Sequence, residues 1–383
     1  MPSATGYVDN TGSQGIAHWQ MLDLIRRFAT GYGTAAAPVK TGTGTGTMTG
    51  VDTHPATITE TWTITCTSAA TVGAEAWSVT GSVSGAKAAA TTGVAYDNAL
   101  LAFLISAGAT AWVVGDKFTV ATTVGAVPAA ARWTQLRYLN PTPYTDPTVI
   151  RELILQGVGL SGTEQIFIGF RAYQDVGADY YNLSVAGFTG YVAGNAFIAQ
   201  PGYRESGLCA HNLRIDYWLA VNAQRIALAL KVGTPVYEVG YVGKFLPYAT
   251  PGQYPYPLAV IGTLNGVPAT RFSDTTATHT SGVKGGAIAQ GALRDVMGNW
   301  QLFYCQPYAA NAAIRRDAGG IYKAMKCVLY NTGQVWGELD GVRYIPGFNN
   351  TVENTSTINT AAQVVMQDVF RTGIGDYFLL ELA

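Results

Sequence analysis

The most regular run of apolar positions lies near the start of the chain. Between His18 and Thr30 the residues Met21, Leu22, Ile25, Phe28 and Ala29 recur three and four apart, and the run stops at Gly31. That spacing lines one face of an α-helix. Arg26 and Arg27 fall in its last turns, where the partial negative charge of a helix end favours cations. The pattern predicts an amphipathic helix whose apolar face either covers the core of its own domain or docks a partner.

Beyond the helix the period changes from 3.6 to two. Trp62, Ile64 and Cys66 alternate with Thr61, Thr63 and Thr65, the pattern of a half-exposed strand. Together with AWSVTGSVSG and AWVVGDKFTVAT this marks a small β domain from Thr57 to about Val124, in which Gly115-Asp116 supplies a tight reversal. A short helix is expected around Tyr96 to Ile105. Before it, KTGTGTGTMTGVDTHP alternates Thr and Gly, has no apolar face to bury, and reads as an exposed linker or an extended edge.

From Trp133 onward no second long helix is visible. Strand-like runs follow at Arg151 to Leu155, Gln165 to Arg171, Tyr180 to Val185, Arg225 to Val232, Pro235 to Val242, Gln334 to Leu339, Val342 to Ile345, Gln363 to Phe370 and Asp376 to Leu382. Turn residues separate most of them. The expectation is a mainly β chain whose main domain is an antiparallel sandwich or barrel-like fold.

Composition narrows what such a chain can do. Charged residues are 12% of 383, against about 25% in ordinary domains, while Gly numbers 45, Tyr 22, Phe 13 and Trp 8. A surface with so few charges suits burial against copies of itself or other proteins. The 23 basic residues balance 24 acidic ones, with no run longer than Arg26-Arg27 or Arg315-Arg316. Nucleic acid is therefore not an expected partner. No secretory leader or bilayer-spanning run is read, so membrane insertion is not expected. Cys66, Cys209, Cys305 and Cys327 lie far apart without a CxxC pair and read as free, mostly buried thiols of a protein made in the cytosol.

Candidate chemistry is sparse. Cys209-Ala-His211 with Asp216 has the residue types of a thiol catalyst but no oxyanion-hole glycine motif around it. Glu338 and Asp340 in GELDG are a carboxylate pair of the kind glycosidases use, yet Asp340-Gly341 between two apolar runs reads more simply as a hairpin turn. His18, His54, His211 and His279 are too dispersed for a metal triad. Gly42-Thr-Gly44-Thr-Gly46 lacks the preceding strand, the following helix and the lysine of a phosphate loop. The expectation is no catalytic residue, no cofactor and no metal. One segment stands apart, Lys244 to Pro257, KFLPYATPGQYPYP, whose prolines forbid helix and central strand. Its Phe245, Tyr248, Tyr254 and Tyr256 either pack locally or form a subunit or receptor contact.

These phrases carry a resemblance. RELILQGVGLSGTEQIFIGFRAYQDVGADYYN, AGFTGYV, DYWLAVN from Asp216, RIAL from Arg225, GTPVYEVGYVGKFLPYATPGQYPYPL and GFNNTVENTSTI with VVMQDVFRTGIGDYFLLELA resemble a family of tailed-bacteriophage virion structural proteins of the tail, baseplate or tail-fibre region. The resemblance covers the helix and most of 133–383. It implies a non-enzymatic protein of the virion, assembled in the host cytoplasm, that associates with copies of itself and with other tail or baseplate proteins. It also implies that residues 43–126 form an immunoglobulin-like β domain inserted into a main domain made of 1–42 and 127–383. A tail-fibre-type adhesin binding host glycan or protein is the alternative, and a polysaccharide hydrolase a remoter one.

Overall fold

Two kinds of apolar pattern, alternating and continuous, sort into two kinds of sheet in the computed structural model. It describes residues 1–13, 15–139, 151–159, 166–232, 237–248, 256–262, 291–294, 297–302, 304–306, 324–331, 334–345, 363–367 and 377–382. The chain divides into two units, one of Met1–Ala29 with Ala130–Ala383 and one of Thr30–Ala129. Every strand pair described is antiparallel, and among the described residues no sheet closes into a barrel.

The larger unit is built in layers. Its middle is a sheet in the order Ser3–Asp9, Arg214–Val221, Arg225–Lys231, Tyr237–Lys244, Leu258–Ile261, Gly291–Arg294 and Trp300–Leu302. On one face, Ala220, Ala227, Ala229, Tyr241 and Ile261 share a core with Cys327, Leu329, Leu339, Val342 and Leu380 of a C-terminal sheet. That sheet runs Tyr304–Gln306, Met325–Asn331, Gln334–Ile345, Tyr377–Glu381, Gln363–Gln367. On the other face, Ile166–Asp175, Tyr180–Phe188 and Arg204–Cys209 lie against Tyr237–Lys244. They belong to a five-stranded sheet completed by Thr134–Leu139 and Arg151–Gly157. Covering both faces explains why RIALALK alternates small and large apolar residues instead of apolar and polar ones: Arg225 through Leu230 are all buried.

The helix spans Ala17–Thr30, with Ala17, Trp19, Met21, Leu22, Ile25 and Ala29 buried. It contacts the five-stranded sheet of its own unit: the Arg26 guanidinium lies 4.6 Å from the Tyr138 ring centre, and that of Arg151 lies 4.1 Å from the Trp19 ring. Of the two readings of its apolar face, cover for a local core is the one the structure bears out.

The smaller unit is a two-sheet sandwich. One sheet holds Thr34–Ala35, Lys117–Thr123, Glu60–Ser68, Ala76–Gly81 and Gly85–Thr91, with Val39–Thr41 also pairing Lys117–Thr119. The other holds Thr47–Thr53, Leu101–Ser106 and Ala95–Asp97. Trp62, Trp77, Trp112, Phe103 and Phe118 fill the space between them. Trp77 meets Trp112 edge-on at 5.0 Å, and the indole N–H groups of Trp62 and Trp77 donate to Thr122 and Thr92. Large aromatic area, with two of the three indole N–H groups bonded inside the sandwich, is an efficient way to fill a small core.

One sequence expectation for this unit is overturned and another is decided between its alternatives. Tyr96 to Ile105 is not a helix but two strands, because the Asn98 side chain accepts the N–H groups of Leu100 and Leu101 and reverses the chain between them. Leu101, Phe103 and Ile105 then point inward with period two. Of the two readings of the Thr-Gly run, linker and extended edge, the structure bears out the edge, Thr47–Thr53 being the outer strand of its sheet. The run carries strands Val39–Thr41 and Thr47–Thr53, and Gly44 packs so closely on the Trp112 ring that a Cβ there would collide with it. The unit accordingly starts at Thr30 and ends at Ala129, wider than 43–126.

Its two chain ends are adjacent, since a Cβ on Gly125 would meet the Gly31 carbonyl. In the larger unit the Ala29 carbonyl accepts the Trp133 N–H at 3.0 Å. Joining Ala29 to Ala130 through a short Gly-Ser linker should therefore leave a soluble remainder with an intact β spectrum by circular dichroism. An insoluble or unfolded product would refute this division.

Candidate functional site

The Tyr-Pro segment begins as a strand partner and ends on the surface. Phe245 donates its N–H to the Pro257 carbonyl at 2.9 Å and is fully buried in the core between the central and C-terminal sheets. Of the two readings for Phe245 the structure bears out local packing and contradicts a subunit or receptor contact. Tyr254 lies outside the described residues. Tyr256 is half-buried, its ring 5.9 Å from the Arg294 guanidinium, which also lies 5.3 Å from the Trp300 ring.

Tyr248 is the residue of this set that faces solvent, with 54% of its area exposed. Its N–H donates to the Trp336 carbonyl at 2.9 Å and its hydroxyl to Glu338 Oε2 at 2.5 Å. Lys326 Nζ donates to the other oxygen, Oε1, at 2.8 Å. Burial alone would raise the Glu338 carboxyl, but the bonds from Lys326 and Tyr248 outweigh it and hold the group below its ordinary range, charged. The same bond pushes the Tyr248 phenol up to about 12. Val335, 54% exposed, and half-buried Trp336 extend the surface. The result is an aromatic and apolar patch fixed by one ion pair, suited to hold a partner by contact.

Asp340 turns away from this surface. Asp340-Gly341 is not a hairpin turn: Gln334–Ile345 is one strand, and between the pairs Val328↔Glu338 and Lys326↔Arg343 the residues Leu339–Val342 bulge opposite Cys327 alone. Gly341 sits at φ +65, and a Cβ there would strike the Arg225 guanidinium. Arg225, fully buried, donates from Nε to Asp340 Oδ2 at 3.3 Å and from Nη1 to the Ala220 carbonyl at 3.1 Å, while Nη2 contacts the Met1 sulfur. Asn222 and Gln224 donate to the same Asp340 oxygen. Glu338 and Asp340 thus serve different partners and do not form a catalytic pair. Removing one member of a buried pair leaves the other charge uncompensated, at a cost of about 3 to 5 kcal/mol. Asp340→Ala should lower stability by that order, read from the urea midpoint; an unchanged midpoint would show the pair to be dispensable.

A second buried carboxylate is saturated. Glu205 accepts Arg171 Nε at 2.9 Å and Nη2 at 2.5 Å, Tyr173 and Tyr203 hydroxyls at 3.0 and 2.5 Å, and the Ser184 hydroxyl. Burial and the adjacent carboxylate push both phenols far up. Its oxygens are thus taken up by protein donors. Cys209 is also inert, its thiol raised by burial and by Glu238, and His211 Nδ1 accepts the Leu213 N–H instead of activating it. Among the described residues, no three His, Cys, Asp or Glu side chains are grouped to hold a metal. Cys66, Cys209 and Cys327 are buried thiols. The sequence does carry a signal for the two buried networks: Arg225 in RIALAL and Arg171 in IFIGFRAY are lone cations inside apolar runs, where an unpaired charge is rarely tolerated.

His18 is buried on the helix, edge-on to Tyr181 at 5.6 Å, and neither ring nitrogen has a hydrogen-bond partner among the described residues. Desolvation, then the charge of Arg151 and the proximity of His211, lower its pKa from 6.5 to about 3. A histidine held neutral this way contributes stability in full above pH 6.5, and that contribution is lost as the pH falls toward 3. One proton taken up only on unfolding corresponds to about 1.4 kcal/mol per pH unit, or about 2 kcal/mol between pH 6.5 and 5. His18→Leu should flatten the acid limb of melting temperature against pH by that amount, and an identical limb would contradict it.

No family model matches the chain, and no curated protein is significantly similar to it.

Proposed function

We propose that the chain is a structural, non-enzymatic component of a tailed-phage virion that works by self-association and docking in the tail or baseplate. The reading rests on the resemblance of its long Tyr- and Gly-rich phrases, and one observation supports it physically. In a chain with 12% charged residues, Tyr248, Val335 and Trp336 place aromatic and apolar area on the surface beside an ordered ion pair. Such a patch gains more from covering than from water, and repeated copies in a symmetric particle provide the cover.

The adhesin reading uses the same residues differently. A phenol ring beside a charged carboxylate and a lysine offers both a stacking face and hydrogen-bond groups for a sugar, so a host surface glycan is the second occupant this patch fits.

Multi-angle light scattering of the purified chain should show an oligomer, and Tyr248→Ala with Val335→Asp should shift it toward monomer. Mass spectrometry of purified virions should find the chain among their proteins. A strict monomer at high concentration that is absent from virions would overturn the proposal, and a glycan-array signal lost in Tyr248→Ala would favour the adhesin.

A further inference from the structure

Among the described residues, the longest unbroken strand at the border of a sheet is Ser3–Asp9. Thr47–Thr53, Gly85–Thr91 and Thr134–Leu139, which border other sheets, each carry a bulge. Bulges, prolines and lysines are what keep sheet borders from pairing with other chains. Ser3–Asp9 has none of the three. Its register with Arg214–Val221 runs through seven pairs without a shift, and Thr5, Gly6 and Tyr7 in its middle are exposed.

The bonds at its two ends settle which backbone groups face outward. Asn10 donates its N–H to the Leu213 carbonyl at 3.1 Å, and the Pro2 carbonyl accepts the Val221 N–H at 3.0 Å. Residue pairs that exchange bonds alternate along an antiparallel ladder. Ala4, Gly6 and Val8 therefore turn their N–H and C=O groups toward Arg214–Val221. Those of Ser3, Thr5, Tyr7 and Asp9 point away from the sheet, and no described strand pairs on that side.

We infer that this border binds the same border of a second copy of the chain, antiparallel and across a two-fold axis at Gly6. With Gly6 opposite Gly6, Ser3 meets Asp9 of the second copy and Thr5 meets its Tyr7. All of these face outward, so each pair exchanges both of its bonds, and every outward N–H and C=O of the two strands finds a mate. An axis at Thr5 or at Tyr7 leaves Asp9 or Ser3 outside the paired length. An axis between two residues sets inward-facing groups against outward-facing ones.

The side chains agree with that register. Tyr7 is 56% exposed, its ring already held by the Arg214 guanidinium at 4.1 Å, and it lies opposite the β-branched Thr5, a favourable cross-strand pair. Gly6 falls at the non-bonded position, where two backbones approach most closely, at about 4.5 Å. Asp9 is the sole charged side chain of the strand, and in this register it faces the Ser3 hydroxyl. The two Asp9 carboxylates are then six residues apart along the pair, about 20 Å, beyond the screening length of about 8 to 10 Å. A symmetric contact of this kind uses one patch twice and closes at a dimer. The pairing rests on the self-association reading, which it deepens by naming a surface that includes none of Tyr248, Val335 or Trp336.

Light scattering of the full chain over a concentration series tests it. Thr5→Pro removes an outward N–H and none that faces Arg214–Val221, so the melting temperature should hold while the dimer dissociation constant rises at least about tenfold. Thr5→Asp with Tyr7→Asp sets carboxylates opposite one another and should abolish the contact, as should Thr5→Lys with Tyr7→Lys. Mixing these two variants should restore a one-to-one dimer, because each Asp then faces a Lys; if Thr5→Pro melts lower, this mixture decides. A native chain that stays monomeric at high concentration would overturn both this contact and the self-association it rests on. A native oligomer unchanged by Thr5→Pro and by the charge variants, but lost in Tyr248→Ala with Val335→Asp, would overturn the contact alone. Failure of the mixed charge variants to pair would also overturn it.

Discussion

The guanidinium of Arg225 is the point on which the larger unit is assembled. It lies with no exposed area between the central and C-terminal sheets, and its donors reach Asp340, the Ala220 carbonyl and the Met1 sulfur. A buried cation without partners costs several kcal/mol, so the C-terminal sheet must deliver its carboxylate to one place. The bulge at Leu339–Val342 does so, and Gly341 at positive φ is the residue that leaves the guanidinium room. Apolar contacts are non-directional, whereas a buried polar pair must meet with defined geometry and so constrains how the two sheets are placed.

The same logic explains where the chain keeps its few charges. In the five-stranded sheet Glu205 collects donors from Arg171, Tyr173, Tyr203 and Ser184, a second polar knot inside an apolar setting. In the smaller unit Asp116 and Glu75 gather loop N–H groups in place of solvent. Many ionisable groups of the described residues therefore act as internal fasteners. Little charge remains to keep the outside wet, which is the physical ground for expecting much of it to be covered.

How much of this could be read from the sequence depends on whether a residue's role is local. The helix was legible because Met21, Leu22, Ile25 and Ala29 carry its period by themselves, and the strand at Trp62 because Thr and apolar residues alternate. Asp340-Gly341 was misread because a hairpin and a bulge share the same dipeptide, and only Arg225, more than a hundred positions earlier, distinguishes them. Leu101 to Ser106 was misread because a short apolar run fits either period until the Asn98 side chain turns the chain. Phe245 resembled Tyr248 in sequence, and which one faces water is decided by the C-terminal sheet, which pairs with Leu246–Pro247.

The pairing of Ser3–Asp9 with Arg214–Val221 sets an order of events during synthesis. Ser3 meets Ala220, so the first strand leaves the ribosome with no partner until over two hundred further residues have followed, a wait of about 10 to 40 s at ordinary elongation rates. The smaller unit, whose strands pair only among themselves, can fold entirely within that interval. Completion of the larger unit's central sheet thus waits on the arrival of Arg214–Val221, after every strand of the smaller unit has been made.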